Sequence, residues 1–299
     1  MILCAEIVLK GNFIFSNSAM INSICVCGAG TMGSGIAQAI AQSGFYTILY
    51  ELNGVVLEKA KNNINLNLQS LVEKNKISKE EQERIFSRIQ FTNDIQFCLG
   101  DVFIEAIIEK AELKIALFNQ LAELNHSESI FASNTSSLSV SQIASKVKNP
   151  ERMIGMHFFN PPTIMKLVEV VNTNYTNENT TRIITDLVKQ MGKTPVICKD
   201  SPGFIVNRVA RPYYIESLRL IEEEQTNFNQ LDNLMEATGF KMGPFKLMDL
   251  IGNDVNYAVS CSIYEQLNDP ERLKPSPIQK EKVENNELGK KTGKGYYKY

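Results

Sequence analysis

From Ser23 the chain runs Ser-Ile-Cys-Val-Cys, then Gly28-Ala-Gly30-Thr31-Met32-Gly33-Ser-Gly35, then Ile36 to Ser43, rich in Ala, Ile and Gln. A β-prone apolar run, a glycine cluster and a helix-forming run in that order describe strand, tight turn and helix. Gly44 closes the helix, and Tyr46 to Tyr50 is a second β-prone run followed at once by Glu51. The unit is therefore a βαβ with a short second connection. The glycines serve different ends: a side chain at Gly30 would block an approaching pyrophosphate, and one at Gly33 would push the helix off the sheet. The helix N-terminus presents unpaired N–H groups and the positive end of its dipole, which favour an anion there. Glu51 follows the turn by about twenty residues, where a carboxylate can bind ribose hydroxyls and repel the extra phosphate of NADP. NAD is the expected cofactor. The plain alternative for Glu51 is a solvated strand-end carboxylate.

Further along, Val55 to Arg88 holds helix formers with apolar residues at three and four spacing, among them Leu57, Ala60, Ile64 and Leu68, and predicts a helical excursion. Strand-like runs recur at Val102 to Glu105, Ser129 to Ser133 and Met153 to His157, with a helical stretch from Leu113 to Leu124. Such alternation predicts an α/β fold, a doubly wound, mainly parallel Rossmann-type sheet. The pattern changes near Asp200. Beyond Ser201-Pro202-Gly203 the segments Phe204 to Glu223, Gln230 to Ala237, Val255 to Leu267 and Ile278 to Asn285 all read helical. The expected division is an N-terminal extension over 1–21, a nucleotide-binding domain over 22–200 and an all-helical C-terminal domain over 201–299.

Bulk properties exclude several classes. With 299 residues, 43% of them hydrophobic and 21% charged, the chain can bury cores for more than one domain. A formal net charge of −2 with interspersed signs gives no field for nucleic acid or an anionic membrane. No apolar run reaches the ~18 to 20 residues of a spanning helix, and Met1 to Ala19 lacks the plan of a secretory signal. A soluble, cytoplasmic protein is expected. The six cysteines (Cys4, Cys25, Cys27, Cys98, Cys198, Cys261) show neither a Cys-x-x-Cys pair nor a His at ligand spacing, so no metal site or disulfide framework is expected.

Candidate chemistry gathers around His157, which ends an apolar run before Phe-Phe-Asn160-Pro-Pro. His126, in Asn125-His-Ser-Glu128, reads as a surface residue. After the prolines Met165-Lys-Leu-Val-Glu169-Val-Val forms a second β-rich run with one acid among aliphatic residues. The turn can fold Glu169 back beside His157, fixing one tautomer and stabilising the imidazolium, as a general base requires. Ser136 and Ser137 follow the strand run ending at Ser133, and Asn207 falls a turn inside the helix started by Pro202-Gly203. Turn and cap roles suit these polar residues equally well.

Together these segments give the chain, from about Asn22 to Tyr299, a resemblance to the 3-hydroxyacyl-CoA dehydrogenase family and its 3-hydroxybutyryl-CoA members. It rests on Gly28-Ala-Gly-Thr-Met-Gly-Ser-Gly-Ile-Ala-Gln38, Ser133-Asn-Thr-Ser-Ser-Leu138, Gly155-Met-His-Phe-Phe-Asn-Pro-Pro162, Met165-Lys-Leu-Val-Glu-Val170, Ser201-Pro-Gly-Phe-Ile-Val-Asn-Arg208 and Lys291-Thr-Gly-Lys-Gly-Tyr-Tyr297. By position it implies a catalytic set of His157, Glu169, Ser136 and Asn207, the last two also touching substrate. It implies NAD contacts from the turn residues Gly28 to Gly33 and from Glu51, Glu109, Lys114, Asn134, Asn160 and Lys291. CoA contacts are implied near Asn67 and Lys74. For Glu109, Lys114 and Lys74 the residues themselves suggest only a solvated helix face.

The implied reaction is NAD-dependent oxidation of a (3S)-3-hydroxyacyl-CoA, as in fatty-acid β-oxidation, or its reverse, by a homodimer formed through the helical domain. Two further readings stand beside it: activity on 3-hydroxyadipyl-CoA, and a non-catalytic NAD-binding protein on the same fold. The sequence departs from the family pattern in three places. Met1 to Met20 precedes the usual start, Lys241-Met-Gly-Pro-Phe-Lys246 has lysines where Pro and Glu are expected, and Gly252-Asn-Asp-Val-Asn256 differs from the commoner Gly-Leu-Asp.

Overall fold

The glycine turn organises the first half of the molecule. In the computed structural model, which describes residues 21–299, β1 (Ser23–Cys27), α1 (Thr31–Gln42) and β2 (Tyr46–Tyr50) form the expected unit. The N-terminal extension expected over 1–21 lies, Ile21 apart, outside the described residues. Helices α2 (Gly54–Glu73) and α3 (Lys79–Ser87) make up the excursion, followed by β3 (Ile89–Thr92), β4 (Val102–Glu105), α4 (Ala111–Leu124), β5 (Ile130–Ser133), α5 (Val140–Ala144), β6 (Met153–Phe158), β7 (Leu167–Asn172), α6 (Glu178–Gln190) and β8 (Thr194–Lys199).

The strands form one sheet in the order β3-β2-β1-β4-β5-β6-β7-β8. Every neighbouring pair is parallel except β6 with β7, which is antiparallel. The chain reverses its direction of travel across the sheet between β1 and β4, so the carboxyl ends of these strands open a crevice. Strand alternation fills both faces. Ile24 and Val26 of β1 pack into one core with α1 and α2, while Cys25 and Cys27 pack into the other with Phe103, Phe118 and Phe131. Both cysteines are thus buried and serve as small hydrophobes of the strand.

After Lys199 the described residues form no further strand element. Helices α7 (Val206–Glu222), α8 (Phe228–Ala237), α9 (Pro244–Ile251), α10 (Asn253–Gln266) and α11 (Pro277–Glu284) surround a separate core of Tyr214, Leu218, Leu231, Phe245, Met248 and Tyr296. The C-terminal Lys-Thr-Gly-Lys-Gly-Tyr-Tyr segment packs on Asp249, whose carboxylate accepts from the backbone N–H of Tyr296 and Tyr297, both at 3.0 Å. Gly295 is needed there, since a Cβ would lie 1.9 Å from Asp249 Oδ1. Two corrections to the sequence reading concern α7 and the helix face. The helix begins at Val206, so Asn207 lies in its first turn and not a turn inside. Lys114, expected on a solvated face, is 1% exposed, and Glu109 lies in the loop before α4.

Candidate active site

At the head of α1 the backbone is shaped for an anion. The N-cap, Gly30, provides no side-chain cap, which leaves first-turn N–H groups for a ligand. A Cβ at Gly30 would meet nothing within 4 Å, whereas one at Gly33 would lie 1.7 Å from the Gly28 carbonyl oxygen. The first position is open and the second is filled by the turn itself. Thr31 is exposed, and Met32 packs against the sheet core. Glu51 ties the end of β2 to this turn: Oε2 accepts from Ala29 N at 2.9 Å and Oε1 from Asn53 N at 3.0 Å. Gly28, Gly30 and Glu51 line a cleft of about 670 Å³, walled also by the apolar Leu52, Ile107 and Leu113. An open glycine before a helix terminus, a carboxylate at the rim and apolar walls fit the pyrophosphate, ribose and adenine of NAD.

Beyond β4 a buried charge network fixes the neighbouring loops. Glu105 is fully buried and accepts from Lys114 Nζ at 2.5 Å, Ser133 Oγ at 2.7 Å and Ile107 N at 2.8 Å. Lys114 also pairs with Glu109 Oε2 at 3.1 Å. Glu109 Oε1 accepts from the Thr135 hydroxyl, from Ser137 Oγ at 2.9 Å and from Ser136 N at 3.3 Å. Burial pushes the Glu105 carboxyl up, and Lys114 and Ser133 pull it back only partly. Burial acts on Glu109 too, yet the Lys114 ammonium and the Thr135 and Ser137 hydroxyls hold it below the ordinary value. Glu105 has no role in the sequence reading. Its only signal was that it ends an apolar run, as Glu51 does.

The strand register brings His157 and Glu169 together. They are directly opposed in the antiparallel β6–β7 pair, so their side chains share one face. His157 Nδ1 lies 2.7 Å from Glu169 Oε2, with the imidazole 6% and the acid 0% exposed. The other oxygen, Oε1, accepts from Ile205 N and Val206 N, both at 2.9 Å. Burial opposes ionisation of Glu169, but the bonds from His157, Val206 and Ile205 outweigh it and hold the carboxyl below its ordinary value. Phe159 and Phe204 pack their rings at 4.6 and 5.6 Å from the imidazole. The pair is thus rigid, shielded, and locked to the head of the helix that carries Asn207.

The remaining candidates fall around this centre unevenly. Asn134 Oδ1 accepts from Phe158 N at 2.8 Å, which joins the Ser136 loop to the end of β6. Gln266 of α10 donates to the Ser137 carbonyl at 2.8 Å, so the helical part also holds this loop. Ser136 and Asn207 are half-buried. Asn67 and Asn160 meet in a second cleft of about 350 Å³ beside Thr31 and Gln38. Lys74 is exposed at the C-cap of α2 and lines neither cleft. Lys291 pairs with Asp254 at 2.5 Å in the helical part. His126, 55% exposed, lies 3.6 Å from Asp101, away from this chemistry. Among the described residues no group of His, Cys, Asp and Glu could hold a metal ion, and no helix is long and apolar enough to cross a membrane.

Comparison with known proteins bears on both halves of the chain. The model of the 3-hydroxyacyl-CoA dehydrogenase NAD-binding domain matches residues 23–201, and that of the same family's C-terminal domain matches residues 203–299. A 3-hydroxyadipyl-CoA dehydrogenase of Escherichia coli (strain K12) is 43% identical across 93% of this chain and 59% of that protein, so the chain spans less than two thirds of that relative. A probable 3-hydroxybutyryl-CoA dehydrogenase of Deinococcus radiodurans is 39% identical across 92% of this chain and 99% of its own length. The crystal structure of an (S)-3-hydroxybutyryl-CoA dehydrogenase from Ralstonia eutropha superposes with a TM-score of 0.90 at 34% identity, covering 94% of this chain and 99% of that one.

Proposed function

Since the chain belongs to the 3-hydroxyacyl-CoA dehydrogenase family, we propose that it interconverts a (3S)-3-hydroxyacyl-CoA and the 3-ketoacyl-CoA, with His157 as proton acceptor. The observation that carries this reading is the 2.7 Å contact between His157 Nδ1 and Glu169 Oε2. A carboxylate on Nδ1 leaves Nε2 of the neutral ring as the free base and stabilises the imidazolium once the proton arrives. Glu169 is a positioning residue, held in turn by the N–H groups of α7. Bound NAD supplies the hydride acceptor. The chain's own part is to orient both reactants and move one proton: His157 takes it from the 3-hydroxyl, and in reverse returns it to the ketone. Ser136 and Asn207 hold the substrate oxygens. The phosphates lie at Gly28 to Gly33, with Thr31 and Met32 offering backbone N–H groups, and Glu51 takes the ribose. Glu109, fixed from behind by the buried Lys114, and Asn134, Asn160 and Lys291 complete the cofactor contacts, and Asn67 and Lys74 meet the CoA.

The acyl group is short, 3-hydroxybutyryl being the simplest case. A second reading, a dicarboxylic chain such as 3-hydroxyadipyl, is favoured by the 43% identity to the Escherichia coli relative of that name. The nucleotide-binding part ends at residue 200, and the helical part from 201 closes the cleft. Two copies pair through the latter, a reading supported by the exposed apolar side chains of Val209, Leu234, Leu250 and Val255. The bacterial relatives support a place in the cytoplasm. Mixing purified protein with acetoacetyl-CoA and either NADH or NADPH tests the proposal: NADH is consumed and NADPH far more slowly. Absence of turnover with NADH, for acetoacetyl-CoA and for 3-oxoadipyl-CoA alike, contradicts it.

A further inference from the structure

Helix α7 carries a buried cation that the mechanism leaves unused. Arg211 is 3% exposed, and its hydrogen bonds all end on neutral acceptors. Nε donates to the Asn207 carbonyl at 3.2 Å. Nη1 donates to the Asn256 carbonyl at 2.9 Å, to Asn256 Oδ1 at 3.4 Å and to Ser260 Oγ at 2.9 Å. The guanidinium lies 4.8 Å from the Tyr214 ring centroid. Among the described residues none of these bonds uses Nη2. A second donor beside it is also unmatched: Asn256 Nδ2 is buried without a partner, while Asn256 Oδ1 serves both Arg211 and Gln279.

A buried cation facing only dipoles is costly, and buried ions ordinarily find a counter-charge. Among the described residues the other buried basic side chains do so. Lys114 has Glu105 and Glu109, Arg152 has Glu128, and His157 has Glu169. At Arg211 burial draws the guanidinium down to about 10, the sign of a cation that its own fold does not neutralise. With Nε and Nη1 engaged by the fold, Nη2 is the donor left over, and a carboxylate can take it in a charge-assisted bond.

The place of Arg211 says which carboxylate. It lies four residues after Asn207 on the same face of α7, about 6 Å along the axis, and its Nε touches the Asn207 backbone. An acyl chain held at Asn207 through its C3 oxygen needs only a few methylenes to bring a terminal carboxylate to that point. A chain ending in methyl supplies no acceptor.

We propose that Arg211, held in place by Asn256 and Ser260, reads the far end of the acyl chain and selects 3-hydroxyacyl-CoA thioesters that terminate in a carboxylate. The assignment rests on the placement of Asn207 at the substrate oxygen, and it favours the dicarboxylic reading over the butyryl one.

Calorimetric titration of the NAD-saturated protein with adipyl-CoA and with hexanoyl-CoA tests it, since these chains are equally long and lack the reacting hydroxyl. Adipyl-CoA binds about 10- to 100-fold more tightly, the range of a hydrogen bond to a charged group. In Arg211→Met the ratio falls to near one, and in Arg211→Lys part of it survives. Equal affinities in the wild type overturn the proposal. So does a ratio that persists in Arg211→Met, including a parallel weakening of both ligands, the mark of a purely structural arginine. Wild-type turnover of acetoacetyl-CoA with NADH, alongside equal affinities, overturns this assignment alone. Turnover of neither acetoacetyl-CoA nor 3-oxoadipyl-CoA removes the catalytic reading and this one with it.

Discussion

His157 and Glu169 face each other across an antiparallel strand pair with Nδ1 2.7 Å from Oε2, and the far oxygen of the same acid binds the N–H groups of Ile205 and Val206. One carboxylate therefore orients the imidazole and anchors the helix bearing Asn207. The histidine and the head of α7 are coupled through a single side chain.

Replacing Glu169 with Gln should thus cost more than local polarity. Turnover is expected to fall by up to about 10⁴-fold, as when an amide behind a catalytic histidine holds the wrong tautomer, with a smaller change in KM for acetoacetyl-CoA. The sign of the pH effect follows from the depressed carboxyl of Glu169. Its ionised form stabilises the fold fully above the ordinary carboxylate range, and that contribution is lost as pH falls through the lowered value. Denaturant melts of wild type and Glu169→Gln should accordingly differ most above the ordinary carboxylate range and draw together as pH falls below it.

The two turn glycines should separate binding from folding. Gly30 has φ −65° and open space around a built Cβ, so Gly30→Ala should melt like the wild type while its NADH dissociation constant rises at least about tenfold. Gly33→Ala drives a methyl onto the Gly28 carbonyl and should cost roughly 1–3 kcal/mol of stability. Equal melting losses in both variants would refute the distinction.

Lys114 sits between Glu105 and Glu109 at 1% exposure. Lys114→Met leaves the buried Glu105 without its cation and should destabilise by about 3–5 kcal/mol. Adding Glu105→Gln should recover much of that loss, since the remaining buried group is then neutral. A double variant no better than the single one would show that the cation does not act through Glu105.

Glu51 accepts from both Ala29 N and Asn53 N, which fixes the carboxylate at the cleft rim. Glu51→Ala should reduce the preference for NADH over NADPH by about tenfold or more, because the repulsion of a 2′-phosphate goes with the charge. Steady-state kcat/KM for the two cofactors measures it.

Much of this was legible because periodicity and punctuation agreed. Ser23–Cys27, the glycine turn and Tyr46–Tyr50 each announce their element, and His157 and Glu169 stand out as polar groups in apolar strands. The edge strands did not. Ile89–Thr92 is four residues long, and Thr194–Lys199 carries Pro195 and is half-exposed, so neither shows a clean β pattern. Helix α9, eight residues opening on a proline after Gly243, is too short for its period to show and is absent from the helices expected from the sequence. The burial of Lys114 was hidden for another reason. It depends on acids from the end of β4 and from a loop, and no spacing along α4 reveals such partners.

The proton transfer assigned to His157 is tested most directly by the rate of NADH oxidation with saturating acetoacetyl-CoA in His157→Ala, with NADH affinity measured alongside. A fall of about 10²- to 10⁴-fold is expected, the range for losing a general acid or base, with NADH bound as tightly as before. An unchanged turnover number would contradict it.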